Sequence, residues 1–240
     1  MSSASSHVES WQGALPATTT DLQRERLMQF VQLLQRWNKV YNLTAVRDAS
    51  DMLTVHLADC LAALPGIAAR HPARLLDVGS GGGLPGMVLG IMLPETHVVL
   101  NDAVQKKCAF LQQACATLRL PNVEVVHARV ETLDSGLFNC ITSRAFSDLA
   151  TFVRLTRPRL APGGAWAAMK GRVPDEEIAA LPPDIDVHVD HLDVPGLAAQ
   201  RCIVWMQPRS GEQSFAGASS MVKGAASRPA PSQTDSIGES

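Results

Sequence analysis

The chain has 240 residues, 46% of them hydrophobic but only 5% aromatic, and a formal net charge of −2. That is enough apolar material for one large or two small globular domains with an aliphatic core, and no run of 18 apolar residues argues for a membrane-spanning helix. The charge excludes a general, strongly basic nucleic-acid binder, so any contact with nucleic acid has to rest on a local basic patch or a partner.

Residues 1–20 are small and polar and are expected to be flexible. MSSASSHVES lacks the basic-then-apolar order of a secretory signal. A helix is predicted from Asp21, capped by Thr20 or Thr19, with Leu27, Phe30, Val31, Leu34, Trp37 and Tyr41 as its apolar stripe. A second amphipathic helix is predicted from Ser50 to Leu64, ended by Pro65-Gly66. His56 and Asp59 on it read as satisfied polar residues more readily than as a catalytic dyad. The five cysteines (Cys60, Cys108, Cys115, Cys140 and Cys202) form no C-x-x-C pair, which fits reduced thiols in a cytoplasmic protein without a metal site.

From Arg74 the pattern changes. RLLDV reads as a buried strand, and GSGGGLPG as a glycine turn leading into a helix. Strand, glycine turn and helix together open a doubly wound α/β domain, in which backbone approaches a ligand at the carboxyl end of the strand. Gly81 to Gly86 fits the dinucleotide pattern G-x-G-x-x-G, with Asp102 as the following acid. Asp77, Gly79 and Gly81 give D-x-G-x-G, which resembles the first motif of class I S-adenosylmethionine-dependent methyltransferases. Taken alone the loop leaves both readings open, along with a turn that binds nothing.

Further strands are predicted at His97–Leu100, Val123–Val126, Phe138–Thr142, Ala165–Met169, Ile185–Leu192 and Arg201–Met206, the last two as an antiparallel hairpin. Helices are predicted at about Val104–Leu118, Asp148–Leu160 and Asp175–Leu181. Pro162-Gly163-Gly164 reads as a turn, and Arg154, Arg157 and Arg159 as one basic face. Lys106 and Lys107 sit in a first helical turn, where the helix dipole disfavours cations. Contact with RNA phosphates and an ordinary solvated pair both account for them. Residues 209–240 are rich in Ser, Ala, Gly and Pro and are expected to be a disordered tail.

Five strings together resemble the RsmG/GidB family of bacterial 16S rRNA guanine-N7 methyltransferases. They are Trp37 to Thr44, Asp77 to Gly86, Lys106-Lys107 with Phe110-Leu111, Ser143-Arg144-Ala145-Phe146, and Lys170-Gly171. The resemblance spans about Leu27 to Gln207; Gly82 stands where alanine is expected and Ala103 where serine is frequent. It implies an α/β class I methyltransferase fold, Rossmann-like and seven-stranded, with helices at 21–72 packed on a domain at 73–208. It further implies methyl transfer from S-adenosylmethionine to guanine N7 in 16S rRNA or the small ribosomal subunit; a monomer is the default expectation. Residue by residue, Gly79 and Leu84 would line the methionine side of the cofactor, and Val130 and Glu131 the adenine. Arg144 would reach cofactor or base. Asp102 as ribose ligand rests on the general class I pattern, and Lys106, Lys107 and Lys170 are weaker RNA-contact candidates. Guanine N7 carries no proton, and no acid–base dyad is evident. A small-molecule or protein methyltransferase and a nicotinamide-dependent oxidoreductase are the alternatives.

Overall fold

The computed structural model describes Trp11, residues 13–41, Leu43 and residues 56–195, 197 and 199–209, all within one unit ending at Arg209. The expected tail beyond Arg209, residues 1–10, and the predicted helix start at 50–55 lie outside the described residues.

Helix α1 (Asp21–Tyr41) opens on a reciprocal cap. The Thr20 N–H donates to Gln23 Oε1 at 2.9 Å, and the Gln23 N–H donates to Thr20 Oγ1 at 3.2 Å. Its buried face is Leu27, Phe30, Val31, Leu33, Leu34 and Asn38. Tyr41, predicted inward, is 41% exposed and packs on Trp37 with ring centroids 5.0 Å apart. Trp11 is 1% exposed and belongs to the core, so the flexible stretch expected through residue 20 does not extend over it.

Helix α2 (Ala58–Ala68) runs through Pro65, where the sequence predicted its end. Proline removes one helical N–H, but Leu64 and Ile67 are both buried and hold the next turn in place. Alternating strands and helices follow: β1 (Arg74–Val78), α3 (Gly86–Met92), β2 (His97–Asp102), α4 (Gln105–Leu118) and β3 (Val123–His127), and then β4 (Phe138–Arg144). Helix α5 (Leu149–Thr156) is capped by Asp148, whose Oδ1 accepts the Thr151 N–H at 2.8 Å. It stops four residues before the predicted Leu160, because Pro158 admits only a 3₁₀ turn. Leu160 already opens β5 (Leu160–Lys170). The predicted Pro162-Gly163-Gly164 turn is a bulge within that strand, where the register against β4 shifts. Helix α6 (Asp175–Ala179) and strands β6 (Ile185–Leu192) and β7 (Arg201–Pro208) complete the order.

The seven strands lie in the order β3-β2-β1-β4-β5-β7-β6. The first five are parallel, and β7 runs antiparallel to both β5 and β6. Side chains alternate across the sheet. Leu75, Val98, Leu100, Ala167 and Ile203 meet α1–α4 in one cluster, while Leu76, Val78, Val99, Trp166 and Val204 face α5 in the other. The helical extension is tied to the α/β unit by polar contacts as well: Gln23 Nε2 donates to the Ile91 and Met92 carbonyls at the end of α3, at 3.3 and 3.2 Å.

Asp77 shares the face of Leu75 and Leu100, and it is fully buried there. Its Oδ2 accepts the Gly86 N–H at 3.0 Å. A Cβ on Gly86 would stand 2.6 Å from that oxygen and would also strike Leu100 Cδ2. Gly86→Ala should therefore destabilise the protein by at least about 1 kcal/mol despite alanine's better helix propensity. A lower urea midpoint with unchanged slope is the expected readout.

Candidate functional site

A cleft of about 620 Å³ opens at the carboxyl ends of β1, β4 and β5, where ligands of open α/β sheets bind. Its floor is the glycine loop. The Gly79 and Ser80 N–H groups both donate to the Asn101 carbonyl, at 2.8 and 3.0 Å, which binds the loop to the end of β2. Gly79 has φ +68°, and a Cβ there would stand 2.8 Å from Phe146 Cδ2, so the ring after β4 closes down on backbone. Ala145 makes this possible by adopting φ 57°, a left-handed conformation uncommon for a residue with a side chain.

Asp102 organises the next turn. Its Oδ2 accepts the Gly81 N–H at 2.9 Å, its Oδ1 accepts the Val104 N–H at 2.8 Å, and Lys107 Nζ stands 3.8 Å from Oδ2. Lys107 also lines the cleft, while Lys106 beside it is exposed.

The opposite wall is cationic. Arg144 Nη1 donates to His56 Nδ1 at 2.8 Å. Burial, then the nearby Arg144 and Arg201 charges, push His56 down to about 4, so at neutral pH its imidazole accepts at Nδ1 and carries its proton on Nε2. Arg201 Nε donates to both Asp59 oxygens, at 2.9 and 3.0 Å. Burial raises the Asp59 carboxyl against the pull of Arg201. Lys170 Nζ is held by Glu177 Oε2 at 2.8 Å, Glu177 Oε1 at 3.1 Å and the Ser147 carbonyl at 3.2 Å. Glu177 Oε2 also accepts the Leu149 N–H at 2.9 Å. Lys170 thus anchors the segment after β4, although it borders the cleft.

Comparison with known proteins gives this site a context. Residues 23–204 match the GidB family, described as rRNA small subunit methyltransferase G. A ribosomal RNA small subunit methyltransferase G from Leptothrix cholodnii is 53% identical over 201 residues, covering 82% of this chain and 92% of its own. One from Acidovorax sp. strain JS42 is 54% identical over 207 residues, covering 81% and 91%. An O-methyltransferase from Bacillus cereus, solved in complex with SAH, is only 14% identical but superimposes with TM-score 0.54 over 79% of this chain and 92% of its own.

The chain belongs to the rRNA small subunit methyltransferase G family. Methyltransferase G enzymes are S-adenosylmethionine-dependent and methylate small-subunit rRNA, and the chain has the class I fold this requires. The oxidoreductase reading of the glycine loop falls with this assignment.

The residues present fit the cofactor. A Cβ placed on Gly81 meets nothing nearer than the Gly79 carbonyl at 3.7 Å, so the loop offers bare backbone to a guest. Gly79, Leu84 and Arg144 line the cleft together, and Asp102 reaches it through Gly81. Val130 is buried in the core cluster with Leu133 and Leu149, Glu131 is exposed, and neither lines the cleft. His56 and Asp59, read from the sequence as satisfied polar residues, stand on the cleft wall hydrogen-bonded to Arg144 and Arg201. Their i, i+3 spacing was the only local signal. Among the described residues no group of three His, Cys, Asp or Glu side chains is arranged to hold a metal ion. Of the thiols, Cys60 and Cys140 are buried and pushed up to about 12, which leaves them protonated and inert.

Burial also pushes Asp77 up to about 6 from 3.8, and its Oδ1 has no hydrogen-bond partner among the described residues. A carboxyl whose folded value is raised contributes stability that is complete below the unfolded value of 3.8 and lost as pH rises through about 6. Relative to Asp77→Asn, the wild type should lose on the order of 3 kcal/mol between about pH 4 and pH 7. Urea unfolding across that range measures it. Parallel curves for the two proteins would show that Asp77 keeps an ordinary proton affinity.

Proposed function

We propose that this enzyme transfers the methyl group of S-adenosylmethionine to N7 of a guanine in 16S rRNA, acting as a monomer in the cytoplasm on RNA or on the small ribosomal subunit. The observation that carries the reading is the pairing of a glycine floor, Gly79 to Gly82, with a cationic wall whose acidic and imidazole groups, among the described residues, are already engaged. His56 is hydrogen-bonded to a guanidinium, Asp59 is held by another, and Asp102 is occupied by backbone amides. When bound, the cofactor supplies an electrophilic sulfonium methyl. Guanine N7 has an in-plane lone pair and no proton, so the protein need not remove one.

The chain's own residues then have to bind, align and dry the reacting pair. In this reading Gly79 and Leu84 take the methionine end of the cofactor, Asp102 takes the ribose, and Val130 with Glu131 meets the adenine. Arg144 faces the cofactor carboxylate or the electron-rich edge of guanine. Lys106 and Lys107, at the start of α4, would meet RNA phosphate in this reading. Lys170 supports the wall through Glu177 rather than meeting RNA itself. Among the described residues no helix is long and apolar enough to cross a membrane.

Labelled methyl transfer to small ribosomal subunits lacking the native modification, followed by digestion to nucleosides, tests the reading. Label is expected in 7-methylguanosine; label in any other nucleoside overturns the N7 assignment. S-adenosylhomocysteine at about 100 times its Kd should raise the Tm by roughly 5 °C, and NAD should leave it unmoved. Arg144→Ala should lower kcat by about tenfold or more with little change in Tm, and a normal rate would remove Arg144 from the site.

A further inference from the structure

The cleft wall holds two guanidinium groups compensated in opposite ways. Arg201 is met by the Asp59 carboxylate, with Nε within 3.0 Å of both oxygens. Arg144 has no carboxylate within ion-pair distance among the described residues; its recorded side-chain partner is His56 Nδ1 at 2.8 Å. A guanidinium has five N–H donors and cannot accept, so Nδ1 must be the acceptor and the imidazole neutral. Such a partner fixes direction without cancelling charge, whereas a carboxylate in its place would do both. Arg144 also leaves a strand whose next residue, Ala145, turns sharply away with φ 57°. Its backbone is therefore fixed, while the long side chain is free to swing unless something holds its end.

We propose that His56 is the positioning residue for Arg144: through Nδ1 it aims the guanidinium into the cleft while leaving its positive charge intact for the reacting partners. This rests on the reading of Arg144 as a group that faces cofactor or base. His56 acts only through Arg144 and touches no substrate. Asp59, one turn along the same segment, keeps the neighbouring Arg201 from competing for the imidazole. The His56–Arg144 bond joins the helical extension to the end of β4 across 88 positions of sequence.

A double-mutant cycle with steady-state methyl transfer tests this. His56→Leu should lower kcat/KM by about tenfold or more, the same parameter that Arg144→Ala lowers. His56→Asn, whose side-chain carbonyl can accept near the Nδ1 position, should stay within about threefold of wild type. His56→Leu combined with Arg144→Ala should be no slower than Arg144→Ala alone. If His56→Leu turns over normally while Arg144→Ala is slow, or if the two losses multiply, the positioning role is overturned and the role of Arg144 stands. If Arg144→Ala itself is normal, the underlying reading fails, and this inference with it. Should His56→Leu not fold, His56→Met replaces it with the same expectation and the same overturning result.

Discussion

Much of the site depends on a carboxylate that is expensive to bury. Asp77 sits on the helix-packed face of β1, fully enclosed, with one oxygen on the Gly86 amide and the other without a partner among the described residues. Burial of an incompletely paired carboxylate costs free energy that the surrounding packing has to offset. What it provides is geometry. The Asp77–Gly86 bond brings the N-terminus of α3 down onto the strand end, and the Ser80 hydroxyl ties back to the Asp77 carbonyl at 2.9 Å. The chain between them, Gly79 to Pro85, is left as a short arch whose backbone has to turn outward. That arch is the floor of the cleft. Strain and unsatisfied polarity concentrate where ligands bind, as expected of a site whose shape matters more than its stability.

The second constraint is the path taken by the chain after β4. Arg144, Ala145 and Phe146 do three separate things within three residues. Arg144 enters the cleft, Ala145 reverses the backbone, and the Phe146 ring covers Gly79 and packs edge-on against Phe152 at a centroid distance of 6.2 Å. Lys170 and Glu177 then clamp the following residues through the Ser147 carbonyl and the Leu149 amide. A cation near a nucleic-acid enzyme's cleft invites assignment to phosphate, but a lysine already bound to two carboxylate oxygens and a carbonyl has little left to offer one. Charge in this cleft is arranged by partner: Lys170 and Arg201 are neutralised in place, and Arg144 is directed and left charged.

How much of this the sequence showed follows from range along the chain. β1, the glycine arch and Asp102 were legible because each is local: an apolar run, a cluster of glycines, an acid at the end of the next strand. Arg144 was legible because strand ends in such sheets face ligands. Misread elements all involve proline, glycine or an aromatic whose effect depends on distant packing. Pro65 lies inside a helix that Leu64 and Ile67 bury, Pro158 ends α5 early, Pro162 to Gly164 bulge rather than turn, and Trp11 is core where its neighbours look like linker. The cationic wall was out of reach for another reason. Its pairs join residues 88 and 142 positions apart, and a single sequence carries no signal for which arginine meets which acceptor.

Those long-range pairs also explain why the helical extension belongs to the catalytic unit. Apolar contacts of Leu27, Phe30 and Leu61 would hold it against the sheet, but such packing is tolerant of small shifts. Directional bonds are not. Gln23 fixes α1 to the end of α3, Asp59 fixes the start of α2 to β7, and His56 fixes the same segment to the end of β4. With three bonds to three separate elements, the extension has one seating on the α/β unit. Two of the three end in the cleft, so the seating of the extension and the shape of the cleft are set by the same contacts.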